Sequence, residues 1–211
     1  MTLPILYSFR RCPYAMRARL AISVAGIQCD LREIVLRDKA PAFLATSPSG
    51  TVPCLKTDSA VIDESLDIMI WALRQNDPEG WLDMPANASV LIQTADGPFK
   101  TALDHTKYAN RYADVDSHLE REYAALFLRK LNKMLLKQPY LYGQTPTLAD
   151  MAILPFVRQF AGIDKHWFAT QRWPHLRKWL DAFLASERFT SIMTKYPKWQ
   201  IDDPQTVFPL G

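Results

Sequence analysis

Cysteine is scarce in this sequence: only Cys12, Cys29 and Cys54 occur among its 211 residues. Three cysteines do not make a framework of paired disulfide bridges, and their spacing is not that of a metal site. The four histidines are scattered along the chain and add no pattern of metal ligands. We therefore expect a protein of a reducing compartment without a bound metal, in which Cys29 and Cys54 are buried strand residues.

Long apolar runs and a strong excess of one charge are also absent. No run reaches the length of a membrane-spanning helix. The first apolar segment is short and precedes its arginines, whereas a signal peptide has its basic residues first. The formal net charge is only +3, which does not indicate the basic surface of a nucleic-acid-binding protein. These absences predict a cytoplasmic protein that binds neither nucleic acid nor a membrane.

The composition is that of a globular protein, with 48% hydrophobic and 22% charged residues. A chain of this length suits one large or two small domains. In its first part, predicted strands at 3–9, 28–35, 52–57 and 60–62 alternate with predicted helices at 13–25, 41–45 and from residue 63. This order predicts an α/β domain with a mixed four-stranded sheet.

A linker with turn-forming residues follows, and beyond it no strand is predicted. Helices are expected at 86–112, 116–137, 147–162, 173–185 and 187–195, with a break at Gly97-Pro98 in the first of them. The proline-containing tail is interpreted as irregular. The sequence therefore predicts an α/β domain over 1–76, a linker over 77–85 and an all-helical domain over 86–211.

The motif Cys12-Pro13-Tyr14-Ala15 lies between the first predicted strand and the first predicted helix. Proline suits the first turn of a helix, where its missing N–H is no loss. Cys12 is then expected at the helix N-terminus, where free amides and the helix dipole lower the pKa of a thiol. Ala15 stands where a dithiol motif has its second cysteine, so redox chemistry at Cys12 needs an external thiol.

Three further segments are candidates for a specific role. In Ser49–Pro53 the proline either begins a strand with a trans bond or makes a cis turn that presents the backbone of Val52. Asp63–Ser65 opens a helix, and its residues either cap that helix or bind a carboxylate. Thr147–Asp150 has the spacing of a capping box, which predicts a structural role without catalysis.

In this order, the four segments resemble the cytosolic glutathione transferase superfamily, and in particular its cysteine-type, omega-like bacterial members. The resemblance implies a thioredoxin-like N-terminal domain and an all-α C-terminal domain. It also implies glutathione as co-substrate, no metal and a homodimer. The function that it implies is a glutathione-dependent thiol transferase or reductase, in which the catalytic Cys12 forms a mixed disulfide with glutathione.

The resemblance also assigns the residues that contact glutathione, whereas the second pocket is expected from the domain junction. Glutathione is expected to contact Val52, cis-Pro53, Glu64 and Ser65, and Lys39 matches a family lysine by its spacing before the second helix. A small electrophilic or disulfide substrate is expected between the domains. Its predicted pocket residues are Phe9, Tyr14, Phe99, Tyr108, Arg111, Tyr112 and Trp167.

An alternative function is that of a non-catalytic transferase-like module that binds a protein partner. Family members of that kind generally lose the residues that contact glutathione, whereas the Cys12 motif, Val52-Pro53 and Glu64-Ser65 are all present here. The aromatic residues of the predicted second pocket have an alternative as well, since aromatic residues at helical spacing often pack within a core.

Overall fold

The computed structural model describes residues 2–209 of the chain. They form two compact units: one contains the chain up to Leu82 and again from Ser186, and the other is Asp83–Ala185. The strands are β1 (Ile5–Ser8), β2 (Cys29–Glu33), β3 (Cys54–Lys56), β4 (Val61–Ile62) and β5 (Val207–Phe208). The helices are α1 (Pro13–Val24), α2 (Pro41–Thr46), α3 (Ser65–Gln75), α4 (Ala88–Thr94), α5 (Lys100–Lys107), α6 (Ser117–Met134), α7 (Leu148–Ala161), α8 (Lys165–Thr170), α9 (Pro174–Ala185) and α10 (Glu187–Ile192).

The strands form one sheet, in the order β4-β3-β1-β2-β5, within the first unit. β1 and β2 are parallel, and the other neighbouring strands are antiparallel. Leu6 of β1 lies between Leu31 and Leu55 of its neighbours, and all three side chains are buried. Burial of these apolar side chains holds the strands together. The mixed α/β unit and the all-helical unit confirm the predicted fold class.

The sheet has five strands, whereas the sequence predicts four. The additional strand, β5, pairs with β2 through the residue pairs Cys29–Phe208 and Asp30–Val207. β5 has only two residues and lies in the proline-containing tail, where no neighbouring turn marks it in the sequence as the turn before β4 does. The boundary of the helical domain differs as well, because residues from Ser186 onward belong to the first unit and not to the region 86–211.

Arg19 shows what holds the C-terminal segment against the sheet. Its buried guanidinium donates to the Ser8 hydroxyl at 2.8 Å, to the carbonyl of Ile192 at 2.9 Å and to the Glu33 carboxylate at 2.5 Å. The main-chain carbonyl of Glu33 in turn accepts from the amide of Trp199 at 2.9 Å. A buried charge is tolerated only when it is paired and hydrogen-bonded, and here the C-terminal segment supplies part of that bonding.

The predicted helix at 86–112 is divided into several pieces. A π-helical turn at Ala95–Phe99, which contains Pro98, separates α4 from α5, and a short 3-10 turn follows at Ala109–Arg111. Proline has no N–H to donate, so the regular α-helical bonding changes at this point. The structure therefore contains an irregularity where Gly97-Pro98 predicts a break.

One helix of the second unit is not predicted from the sequence. This helix, α8, is only six residues long, and Asp164 caps it by accepting the amide of Trp167 at 2.9 Å. A helix of this length shows little periodicity, and no proline marks its first position as Pro41 marks that of the equally short α2. Among the helices within residues 2–209, none combines the length and apolar character needed to cross a membrane.

Asp150 connects three parts of the helical unit. The predicted capping box with Thr147 is present: the amide and the hydroxyl of Thr147 each donate to Asp150 at 2.9 Å. The same carboxylate accepts from the amide of Leu141 at 2.8 Å and from the indole N–H of Trp179 at 3.1 Å. Burial raises the pKa of the Asp150 carboxyl, and the four donors oppose that shift.

Candidate active site

Cys12 lies at the start of α1, directly after the turn that follows β1. It is the N-cap residue and has an extended backbone conformation, and Pro13 occupies the first helical position. The amide of Cys12 donates to the carbonyl of Phe9 at 2.9 Å, which closes the turn. The side chain is half-buried and packs against the apolar cluster around Tyr7 and Val52. The helix start and the turn together fix the position of this thiol.

The Ser49–Pro53 segment, which precedes β3, lies beside the Cys12 thiol. The Sγ atom of Cys12 lies 3.6 Å from the carbonyl oxygen of Val52, although the two residues are 40 positions apart. The Val52–Pro53 peptide bond is cis. Two segments that the sequence selects independently are therefore brought together in the first unit.

The other two cysteines are not available for chemistry in the folded protein. Cys29 and Cys54 are fully buried, as the sequence predicts, and each is the first residue of a strand. Burial, with the charge of Asp30 nearby, raises the pKa of Cys29 to about 12. Burial, with the charge of Asp63 nearby, raises the pKa of Cys54 to about 12 as well. Both thiols therefore stay protonated near neutral pH.

We expect iodoacetamide to label the folded protein once, at Cys12. The thiolate is the reactive form of cysteine, and the two buried thiols combine a raised pKa with no exposure. Intact-mass measurement followed by peptide mapping counts and locates the label. Cys12→Ser should remain unlabelled until denaturant is added, and labelling of folded protein at Cys29 or Cys54 would contradict the prediction.

Asp63 has a role in the site that the sequence does not predict, since the sequence places it only at the start of a helix. Its carboxylate accepts from the Ser47 hydroxyl and from the Ser49 amide, both at 2.8 Å, and so ties the loop before Val52 to the start of α3. Burial raises the pKa of Asp63, but the hydrogen bonds from Ser49 and Ser47 outweigh this and hold the pKa below its usual value. The sequence gives no signal for this contact because it spans a hairpin.

Asp63→Asn is expected to lower the free energy of unfolding near neutral pH by about 2 kcal/mol, the order of a hydrogen bond to a charged group. The pKa of Asp63 is lower in the folded than in the unfolded state. The stabilisation is therefore complete above the ordinary carboxyl pKa and is lost as the pH falls through the folded-state pKa. Urea denaturation of both proteins from about pH 7 to about pH 3 measures the difference.

Asp67→Asn is the matched control for this prediction, since Asp67 is an exposed residue in the first turn of α3. It should not reproduce the pH dependence. A stability difference between the native protein and Asp63→Asn that stays constant down to low pH would contradict the role of the charge.

The residues at the start of α3 differ in their exposure. Glu64 is the N-cap residue, is exposed, and makes no capping hydrogen bond with its side chain. Ser65 is buried, and its hydroxyl lies 3.5 Å from the guanidinium of Arg17, which is itself buried. Lys39 is half-buried and precedes α2 by two residues. Helix capping by the Glu64 side chain is therefore not the reason for its position.

Two of the seven predicted second-substrate residues belong to the first unit. Phe9 is half-buried beside the Cys12 cluster, and the guanidinium of Arg11 lies 5.3 Å from the centre of its ring. Tyr14 is in the first turn of α1, and the guanidinium of Arg17 lies 5.7 Å from its ring centre. Both rings therefore lie close to arginine side chains near the start of α1.

Phe99 differs from its predicted position in a pocket. It is 2% exposed and packs against Phe127 and Phe160, with ring centres 4.8 and 5.8 Å away. Large aromatic side chains gain most from full burial, so Phe99 is a core residue of the helical unit. For Phe99, the structure therefore shows the alternative in which an aromatic residue at helical spacing packs within a core.

The remaining predicted residues of the helical unit form separate contacts. The guanidinium of Arg111 lies 4.4 Å from the ring centre of Tyr108. The ring of Tyr112 packs edge-on against His105, at 4.5 Å. Trp167 packs against Phe160 and lines a cavity of the helical unit. Within residues 2–209, no three His, Cys, Asp or Glu side chains are grouped so that they could hold a metal ion.

Comparison with known proteins identifies both units. Residues 6–80 match the family described as "Glutathione S-transferase, N-terminal domain", and residues 110–182 match "Glutathione S-transferase, C-terminal domain". Protein IN2-1 homolog B of Oryza sativa subsp. indica is 31% identical over 189 residues, which are 83% of this chain and 74% of that protein.

Two further similar proteins are more distant in sequence. The probable glutathione S-transferase DHAR2, chloroplastic, of Oryza sativa subsp. japonica is 24% identical over 84% of this chain, which spans 64% of that protein's length. A glutathione transferase family member from Pseudomonas fluorescens pf-5 has a similar fold, with a TM-score of 0.77 and 18% identity. The similarity covers 90% of this chain and 92% of that structure.

Proposed function

Because the chain belongs to the glutathione S-transferase family, we propose that it is a glutathione-dependent thiol transferase or reductase whose nucleophile is Cys12. The observation that carries this proposal is the state of the three thiols. Cys12 is partly accessible at the start of α1, whereas Cys29 and Cys54 are buried with a pKa of about 12. Free amides at a helix start favour an anion, and a thiolate there is a nucleophile.

The reaction has two exchange steps. The Cys12 thiolate attacks the glutathionyl sulfur of a mixed disulfide; the new Cys12–glutathione bond forms, and the partner leaves as a thiolate that takes up a proton. The thiolate of a second glutathione then attacks the glutathionyl sulfur bound to Cys12. Glutathione disulfide leaves, and the Cys12 thiolate is restored. No internal resolving thiol is needed, in keeping with alanine at position 15.

We place glutathione along the loop that carries Val52 and Pro53. The Val52 carbonyl beside Cys12 Sγ is positioned for backbone pairing with an extended peptide. The start of α3 offers free amides for a carboxylate, with Glu64 exposed for an ammonium group and the Ser65 hydroxyl beside Arg17. The Pseudomonas fluorescens structure is described as having two glutathione bound, which supports this class of ligand.

Other features of the proposed function rest on the sequence and on the family resemblance alone. Lys39 as a glutathione contact, the small electrophilic or disulfide substrate, its pocket without the buried Phe99, the homodimer and the cytoplasmic location all stay predictions. The similarity to omega-like members is supported by a relative named glutathione S-transferase omega-1 of Sus scrofa, 24% identical over 85% of this chain.

Incubation with glutathione disulfide tests the nucleophile directly. We expect intact-mass measurement to show one added glutathionyl group per chain, peptide mapping to locate it at Cys12, and dithiothreitol to remove it. Cys12→Ser should gain none. Absence of the adduct, or an adduct at a buried cysteine, would overturn the proposal and favour the non-catalytic module.

Glu64→Gln is expected to weaken glutathione binding by about tenfold while leaving the thermal midpoint within a degree or so, because the lost contact is an ion pair with the ligand and not a helix cap. Calorimetric titration of the Cys12→Ser background avoids disulfide formation during the measurement. Asp67→Asn, in the first turn of the same helix and also exposed, should bind normally. Equal affinity of the Glu64 variant and the control would remove Glu64 from the proposed site.

A further inference from the structure

The helical unit contains a cavity of about 260 Å³ that is lined only by its own residues. Its walls come from the ends of α5 and α7, the first turns of α6, the segment that joins α7 to α8, and α8 itself. The principal lining side chains are Phe160, Ile163, Trp167, His118, Arg121 and Asp164. Aromatic and aliphatic surface is therefore combined with a single permanently charged cation.

Arg121 is held in the cavity wall by stacking. Its guanidinium carbon lies 4.6 Å from the ring centre of Trp167, a cation–π contact that restrains the group. Trp167 is in turn packed edge-on against Phe160 and Trp173, with ring centres 6.0 and 5.7 Å away. The planar group is thus oriented before any ligand arrives, which reduces the entropy lost on binding.

The hydrogen-bonding capacity of Arg121 is poorly used by its neighbours. The Asp164 carboxylate is 3.8 Å away and the His118 ring nitrogen 3.4 Å away, both longer than the 2.7–2.9 Å of a charge-assisted hydrogen bond. The Nε atom of Arg121 is buried and finds no partner in the part of the chain that the structure describes. Asp164 is already the acceptor that caps α8. The terminal N–H groups of Arg121 are therefore only loosely engaged, and they are the donors for an acceptor in the cavity.

We propose that this cavity binds a small aromatic carboxylate, with the carboxylate on Arg121 and the ring against Phe160, Ile163 and Trp167. A guanidinium matches a carboxylate by two parallel hydrogen bonds. The volume lies just below the range of about 300–1,000 Å³ that holds drug-sized ligands, so it suits a molecule with a single ring. The nearby carboxylate of Asp164 disfavours a ligand with two or more negative charges.

The proposal is separate from the chemistry of Cys12. Every lining residue belongs to Asp83–Ala185, and none is among the residues proposed to contact glutathione. Binding should therefore need no glutathione and should be the same in Cys12→Ser. The proposed function is tested by the mass of the Cys12 adduct, and the cavity is tested by the Trp167 resonance. Either proposal can therefore fail while the other holds.

Benzoate is the probe for the test, titrated into the full-length protein labelled with ¹⁵N. We expect the indole N–H resonance of Trp167, assigned by its loss in Trp167→Phe, to shift and to saturate. Arg121→Gln should weaken benzoate binding by at least about tenfold, since a hydrogen bond to a charged group contributes that much. Arg129→Gln is the matched control, because Arg129 is a half-exposed arginine on the same helix.

Two further comparisons do not depend on the folding of Arg121→Gln. Benzyl alcohol, which has the ring without the charge, should bind the native protein at least about tenfold more weakly than benzoate. Ile163→Trp should narrow the cavity and weaken benzoate binding. Absence of a saturable Trp167 shift, equal binding of benzoate and benzyl alcohol, or unchanged affinity in Arg121→Gln would each overturn the proposal. If benzoate binding depended on Cys12, the cavity would not be a site separate from the active site.

Discussion

Cys12→Ser is expected to lower the rate of glutathione-dependent disulfide exchange by at least about a thousandfold, the order of effect when a nucleophile is removed. The hydroxyl of serine is a far weaker nucleophile than a thiolate. Neither remaining cysteine can replace Cys12, because both are buried and stay protonated, with a pKa of about 12. Reduction of a small glutathionylated disulfide at fixed glutathione concentration measures the loss.

Cys29→Ala provides the matched control, since it removes another thiol of the same unit. It should keep a rate close to that of the native protein once its folding has been checked by circular dichroism. A Cys12→Ser rate above about a tenth of the native rate would contradict the assignment of the nucleophile. Unchanged glutathione affinity in Cys12→Ser would show that the loss lies in the chemical step.

Asp150→Ala is expected to lower the free energy of unfolding by about 4 kcal/mol or more. The substitution leaves the amides of Leu141 and Thr147 and the indole N–H of Trp179 without an acceptor inside the helical unit. Each buried donor without a partner costs about 1–3 kcal/mol. This effect exceeds the 0.5–2 kcal/mol that a helix cap alone contributes, because Asp150 serves three segments and not one. Urea denaturation followed by tryptophan fluorescence measures the change.

Two variants divide this effect into its parts. Asp150→Asn keeps one oxygen and should lose roughly half as much stability, because its amide group meets donors and not acceptors. Trp179→Phe removes only the indole donor and some packing. It should therefore lower the free energy of unfolding much less than Asp150→Ala does. A loss of less than about 1 kcal/mol in Asp150→Ala would mean that water satisfies these donors.

Local patterns account for the parts of the site that the sequence predicts. Pro13 after Cys12 marks a helix start within two residues, and Thr147 with Asp150 marks another by its spacing. Such signals depend on local backbone geometry and on neighbouring donors. They can therefore be recognised in the sequence without knowledge of the tertiary structure. The strand and helix order of the first 76 residues is predicted for the same reason.

Contacts between distant residues account for what the sequence does not predict. Asp63 reaches back to the loop at Ser47 and Ser49, and Arg19 reaches Ile192 across 173 positions. Neither has a periodic pattern or a fixed spacing, since the partners meet only after folding. Phe99 illustrates the reverse case, because an aromatic residue on a helix gives the same signal whether it lines a pocket or packs in a core.

The return of the chain to the sheet determines when the first unit can be completed during synthesis. The acceptor at Ile192 and the pairing strand β5 leave the ribosome only after the whole helical unit has been made. Until then Arg19 lacks one of its three acceptors, and one edge of β2 is uncovered. A fragment that stops at Leu82 would stay in this incomplete state, so we expect the two units to be inseparable by a single cut.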